Sequence, residues 1–277
     1  MSLDLKTPLI IEPQRPIGHY WRDLLQYREL FYFLAWRDVL VRYKQTAIGV
    51  AWVALRPLLT MAVISFVFGR LARLPSGGVP YPLLVFAAVL PWQFFATALS
   101  ESGNSLVSNA TLISKVYFPR LIVPATGIVV ALVDLAVSGA IFLALLAWYG
   151  VWPDLRILAL PAFLLLALLV AMGAGLWLAA LNARYRDVRY VVPFLVQFGL
   201  YISPVGFSSS VVPSQWRLLY SANPMVGVID GFRWSLLGQD VAFYWPGLVL
   251  SIVFAVALFG FGLGYFRRVE RSFADVI

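Results

Sequence analysis

Cysteine is absent from the 277 residues, histidine occurs once, and lysine occurs three times. Without cysteine there is no disulfide framework and no thiolate chemistry. With His19 as the only histidine, a His/Cys zinc site cannot be assembled within one chain. The lysines follow Leu5, Tyr43 and Ser114, so no Gly-Lys pair exists and a phosphate loop of the Walker kind cannot be built. ATP hydrolysis by that route is excluded. A Ser-His-Asp triad would rest wholly on His19, which reads instead as an interfacial residue. Charge is scarce too: 12% of residues, against the ~25% usual in a soluble domain. The first 17 residues carry acids and prolines rather than an apolar core, so no cleavable leader is expected.

What the chain does contain is apolar length, at 61% hydrophobic residues. Nearly uncharged blocks recur six times: Ile48–Phe68, Tyr81–Ser100, Leu121–Tyr149, Ile157–Ala183, Tyr190–Gly206 and Val241–Phe266. Each approaches the ~20 residues a helix needs to cross a bilayer. A helix satisfies its own backbone hydrogen bonds there, so an all-α integral membrane protein is expected. Residues 1–47 form a cytoplasmic or interfacial segment, 48–266 a six-span bundle and 267–277 a tail, together one domain. The net charge of +8 comes from residues that flank the blocks singly or in small clusters. No basic stripe with interleaved aromatics is present, and no nucleic-acid partner is expected.

The basic residues fall on alternate gaps. Arg70, Arg73, Arg156, Arg217 and Arg233 lie on one side, and the remaining sixteen of the 21 lie on the other. By the positive-inside rule the richer side is cytoplasmic, both termini included. That parity bears on Leu218–Gly238, which is apolar enough to suggest a seventh span but holds Asn223-Pro224, Asp230 and Arg233. An outer re-entrant helical hairpin before the last span fits better. Pro193, Pro204 and Pro213 should kink or shorten the fifth span.

Before the first span, Leu24, Tyr27, Phe31 and Leu34 follow helical spacing while Arg22, Asp23, Gln26 and Glu29 take other faces. This predicts an amphipathic interfacial helix, serving as a membrane-surface anchor or as a platform for a cytoplasmic partner. Three ionisable residues sit in or beside spans: Arg56, Glu101 and Asp134. Such groups are costly at depth. Asp134 either carries protons or pairs with a buried arginine or serine, and Glu101 is solvated or pairs with Arg56. Gly260 and Gly264 form a small-xxx-small pair that predicts close helix packing in the last span.

Three stretches carry a family resemblance: RDVLVRYKQTAIGVAW at Arg37–Trp52, VPYPLLVFAAVLPWQFF at Val79–Phe95, and SESGNSLVSNATLISKVYFPRLIVP at Ser100–Pro124. With NPMVGVIDGFRW at Asn223–Trp234, the ordered set resembles the membrane subunit of ABC-2-type exporters of polysaccharide, over essentially the whole chain. The resemblance implies a permease of the bacterial inner membrane, working as a homodimer among membrane lipids. It also implies two copies of a separate nucleotide-binding ATPase, which would hold ATP and Mg, with no cofactor in this chain. The cargo would be a lipid-linked glycan such as an O-antigen, capsule or teichoic-acid precursor.

By the same likeness, a coupling helix at Ser105–Tyr117 would meet the ATPase through Asn109, Leu112, Lys115, Tyr117 and Phe118, flanked by Arg37 and Arg42. Trp216–Leu237, with Asn223, Pro224, Asp230 and Arg233, looks like the outer gate. Phe66, Phe68, Trp92, Phe94, Phe95, Phe198 and Tyr201 are candidate conduit linings on which sugar rings stack; lipid contact or helix packing is the competing reading for each. Other functions remain to be weighed: an ABC-2 permease for a small drug or lipid, a proton-coupled carrier using Asp134, and a membrane glycosyl transferase. The last lacks the acidic metal ligands such chemistry uses.

Overall fold

At the centre of the bundle stands a 28-residue helix whose N-terminal part, Leu83 to Leu90, is buried without interruption. The computed structural model describes residues 24–44, 50–185, 187–238, 243–270 and 273. The expectations for Lys6, Arg15, His19, Arg22, Asp23, Arg186, Arg271, Ile48 and Val241 lie outside the described residues. Among the described residues every regular element is helical.

Helix α1 (Arg28–Lys44) carries Glu29 in its first turn and Arg42 and Lys44 in its last, complementing the helix dipole. Leu34 and Ala35 are buried, and Leu24, Tyr27, Leu30 and Phe31 pack on a core of Leu106, Ile122, Leu176 and Phe266. The apolar face expected to lie at a membrane surface or meet a partner is thus packed on the bundle's own core. Tyr32, Phe33 and Trp36 are exposed on the rest of the helix, beside the charges.

Helix α2 (Val50–Ile64) runs on through a π-helical stretch, Ser65–Leu71, and is hardly buried at all. Helix α3 (Tyr81–Ser108) is the central one and packs most extensively on α5 (Ile122–Tyr149) and α6 (Leu160–Arg184). Between α3 and α5, Asn109 breaks the chain direction and a short α4 follows (Ala110–Lys115). The expected coupling helix is thus narrower than Ser105–Tyr117: residues 105–108 complete α3, and Val116 is already extended. Helix α5 ends where Gly150 takes φ 68°, a left-handed cap that favours glycine.

Among the described residues five helices are long and apolar enough to cross a membrane: Ala51–Leu71, Tyr81–Ser108, Ile122–Tyr149, Leu155–Arg184 and Trp245–Val269. The sixth expected crossing is occupied by α7 (Val188–Ile202), whose 15 residues rise only about 22 Å against the ~30 Å of a hydrocarbon core. It stops at Ser203, just before Pro204, where a proline disfavours helix in the preceding residue. The segment that follows holds α8 (Ser214–Tyr220) and α9 (Pro224–Leu237), and α10 (Trp245–Val269) closes the bundle against α6.

The close approach of α6 and α10 corrects the glycine expectation. A Cβ added at Gly260 or Gly264 would meet nothing within 4 Å, whereas one at Gly262 would collide with the Gly173 carbonyl. Two residues along a helix turn the side chain by about 200°, so the contact lies on the opposite face.

Candidate functional site

At the end of the bundle where α3 finishes and α5 begins, α1 is tied down by two arginines. The Arg37 guanidinium donates to Asp38 Oδ1 at 2.9 and 2.7 Å and to Asn109 Oδ1 at 2.9 Å. Asp38 Oδ2 in turn accepts from the Thr126 hydroxyl at 3.0 Å. Arg42 spans two carboxylates: Nη1 reaches Glu101 Oε1 at 2.7 Å and Nη2 reaches Asp134 Oδ2 at 2.6 Å. The Tyr43 hydroxyl donates to Asp134 Oδ1 at 2.5 Å. Burial, and then the bond to Asp134, push the Tyr43 pKa well above its ordinary value, so the phenol stays protonated and donates.

Of the residues expected to meet a partner, Arg37 and Arg42 are therefore spent on contacts within the chain. Phe118 is buried with Ile113, and Leu112 is half-buried. Lys115 and Tyr117 are exposed at the tip. The loop beyond them is fastened to the end of α10, where the Arg120 amide donates to Glu270 Oε1 at 3.0 Å and its guanidinium to the Glu270 carbonyl.

A groove of about 480 Å³ opens between α2, α3, α5 and α7. Its apolar wall includes Trp52 and Trp92, and its polar groups include Arg42, Arg56, Gln93, Thr97, Gln197 and the carboxylates of Glu101 and Asp134. Glu101 is not the partner of Arg56: Arg42 takes it, and among the described residues Arg56 makes no ion pair. The reason lies in α1, which lies against α5 and so brings Arg42 between the two acids.

The expected lining is distributed unevenly. Trp92 and Phe94 are buried yet reach the groove. Phe95 packs beside Trp92, with ring centroids 5.5 Å apart. Phe66, Phe198 and Tyr201 are exposed on the outer faces of α2 and α7, with Phe198 stacked on Phe194, and Phe68 lies over Gly206. Gln93, Thr97 and Gln197 escaped the sequence reading. The signal was there: Gln93, Thr97 and Glu101 recur every four residues, one polar stripe along α3.

The opposite end is organised around Arg233, which is 1% exposed. Its Nε donates to the Leu84 carbonyl at 3.0 Å, Nη1 to Phe207 at 2.8 Å and Nη2 to Val205 at 3.0 Å. The Tyr81 hydroxyl holds the Gly206 carbonyl at 2.7 Å, and Tyr220 holds that of Ile202 at 2.8 Å. Asn223 caps α9 by accepting from the Met225 amide, Pro224 opens its first turn, and Asp230 is buried beside Ser209. Arg233 and Tyr81 together knit α9, the start of α3 and the loop after α7 into one piece. At both ends the polar side chains join helices, and the groove near one of them offers amides, hydroxyls and charges for binding.

Comparison with known proteins agrees with that chemistry. Residues 29–237 match the family described as ABC-2 type transporter. The chain is 27% identical over 260 residues to the O-antigen export system permease protein RfbA of Myxococcus xanthus, covering 92% of this chain and 98% of that one. It is 21% identical over 245 residues to the polysialic acid transport protein KpsM of Escherichia coli, covering 85% and 92%. It is 23% identical over 247 residues to the capsule polysaccharide export inner-membrane protein CtrC of Neisseria meningitidis serogroup A, covering 84% and 90%.

Proposed function

The chain belongs to the ABC-2 type transporter family, and from that premise we propose that it is the permease subunit of an ABC exporter moving a lipid-linked polysaccharide across the bacterial inner membrane. Relatives named for O-antigen and capsule export support the cargo class. The observation that carries the reading is the groove. It runs beside α2 and α7, the two apolar helices with little packing of their own, and combines tryptophan faces with amides and hydroxyls. Those groups suit sugar rings and their hydroxyls, and they demand no particular sugar sequence.

In this reading two copies meet through the exposed faces of α2 and α7, so that two grooves form one conduit. Trp52, Leu55 and Leu59 on α2 and Phe194 and Phe198 on α7 are the apolar residues such a contact would cover. There are six crossings, α7 being a short one completed by the loop after it, and α8 and α9 form a re-entrant hairpin on the outer side. Both termini are cytoplasmic, as the distribution of arginine and lysine argues. Energy comes from ATP bound with Mg on two copies of a separate ATPase, because this sequence offers no phosphate loop. Lys115, which ends α4, and Tyr117 just beyond it are the exposed side chains offered to that partner.

The test is the double variant Lys115→Glu, Tyr117→Ala in cells that make the glycan. Surface glycan should disappear while the permease accumulates in the membrane at its usual level. Normal export by that variant would remove the coupling role, and normal export after deletion of the chain itself would remove the function.

A further inference from the structure

A second cavity, also about 480 Å³, lies below the groove between α1 and the ends of α3 and α5. Most of its lining residues are polar, Arg37, Asp38, Asn104, Ser108, Asn109 and Thr126 among them. The two cavities have just two lining residues in common, Arg42 and Glu101. These are the two that bond to one another at 2.7 Å. We infer that the Arg42–Glu101 ion pair is the inner gate of the groove, a removable partition between the membrane-embedded cavity and the one that faces the cytoplasm. Its purpose rests on the exporter reading; its geometry does not.

The partners differ in how they are held. Asp134 is the more buried carboxylate, with Tyr43 as a second donor, so the Arg42–Asp134 contact anchors the guanidinium. Glu101 is about half exposed and has Arg42 as its one bonded partner among the described residues. An exposed pair of that kind separates readily, since water replaces what each ion loses. Arg42 therefore pivots on Asp134 while its arm to Glu101 opens. Arg56 lines the same groove and is the cation available to Glu101 in the open arrangement.

The link to the energy source is on the same helix. Arg37, five residues before Arg42 on α1, holds Asn109, the hinge residue between α3 and α4. A displacement of α4 is handed to α1 through that bond, and α1 carries the gate arginine with it. Closing on a polar, ionic partition also suits a groove through which a hydrophilic chain passes. Once opened, both sides of the gate present solvated groups, whereas an apolar plug would leave a dry collar.

Because the chain has no cysteine, single introduced thiols report without background. Thr97 lines only the upper cavity and Ser108 only the lower one. In inside-out membrane vesicles holding the full complex, a charged, membrane-impermeant methanethiosulfonate is added from the cytoplasmic face. Thr97→Cys should label about tenfold faster or more when combined with Glu101→Gln than with Glu101 intact, a closed population having become an open one. Ser108→Cys should label at one rate in both backgrounds, which also certifies that the variant is folded. Arg42→Lys, which keeps the cation but loses the fork spanning two carboxylates, is an independent opening variant with the same expected acceleration. Equal Thr97→Cys rates in all three backgrounds, fast or slow, would overturn the gate. Labelling needs neither cargo nor ATP, so a gate that opens in a protein that moves no glycan would refute the cargo reading alone.

Discussion

Arg233 at one end of the bundle and Arg42 at the other both join helices distant in sequence, but their acceptors differ in kind. Arg233 is enclosed and donates to three main-chain carbonyls, from Leu84, Val205 and Phe207. Those oxygens neither titrate nor swing, and releasing one means moving backbone. Arg42 donates to two carboxylates on flexible arms, one of them half in solvent. The first arrangement holds a fixed frame; the second holds a joint. The joint lies at the end that carries Lys115 and Tyr117, and the frame at the end away from them. Motion delivered from the α4 end is thus met by the part of the molecule able to absorb it.

The sharpest way to break this contrast is Arg233→Met, which keeps the volume but strands three buried carbonyls and the nearby Asp230. A loss of about 3 kcal/mol or more is expected, read as a collapse of thermal stability in fluorescence-detected size-exclusion chromatography. An unchanged melting point would mean that the Arg233 end is no frame. Asp134→Asn comes next. It keeps the shape but weakens charge-assisted bonds from Arg42 and Tyr43, at about 1–2 kcal/mol. Glycan export should survive it in reduced form, and complete loss of transport with full stability would revive the proton-carrier reading. The smallest effect is reserved for Glu101→Gln, about 0–1 kcal/mol, because that pair is the exposed one. A large destabilisation there would make the Arg42 contact as structural as that of Arg233 and erase the difference.

Depth and length were legible in the sequence; azimuth and neighbours were not. The apolar blocks mark the long helices because a bilayer-spanning helix needs a continuous run. The prolines forecast that α7 would be short, and Asn223-Pro224 marks where α9 begins, an asparagine cap followed by a first-turn proline. Leu24 and Tyr27, just before α1, do share one apolar face with Phe31 and Leu34, but what it meets is the bundle core. Yet the outward side of that helix holds Tyr32, Phe33 and Trp36, which a scheme of one apolar and one charged face did not anticipate. Glu101 was expected in solvent or beside Arg56; it is half exposed, but its partner arrives from α1, fifty-nine residues away. Pairing of that kind depends on how helices are rotated and packed, and a single sequence carries no direct record of it. The polar stripe of Gln93, Thr97 and Glu101 is the exception, a spacing that could have been read and was not.

The contact of Gly173 with Gly262 has a consequence for how such a chain can change over generations. Nothing larger than hydrogen fits between α6 and α10 at that crossing, while Gly260 and Gly264, one turn apart on the free side, touch nothing. Drift at 260 and 264 is therefore cheap, and those positions will accept a dye or a bulky label. Any substitution at 262 has to wait for a compensating shift of an entire helix, which makes that glycine a fixed point around which the rest of the last helix is free to vary.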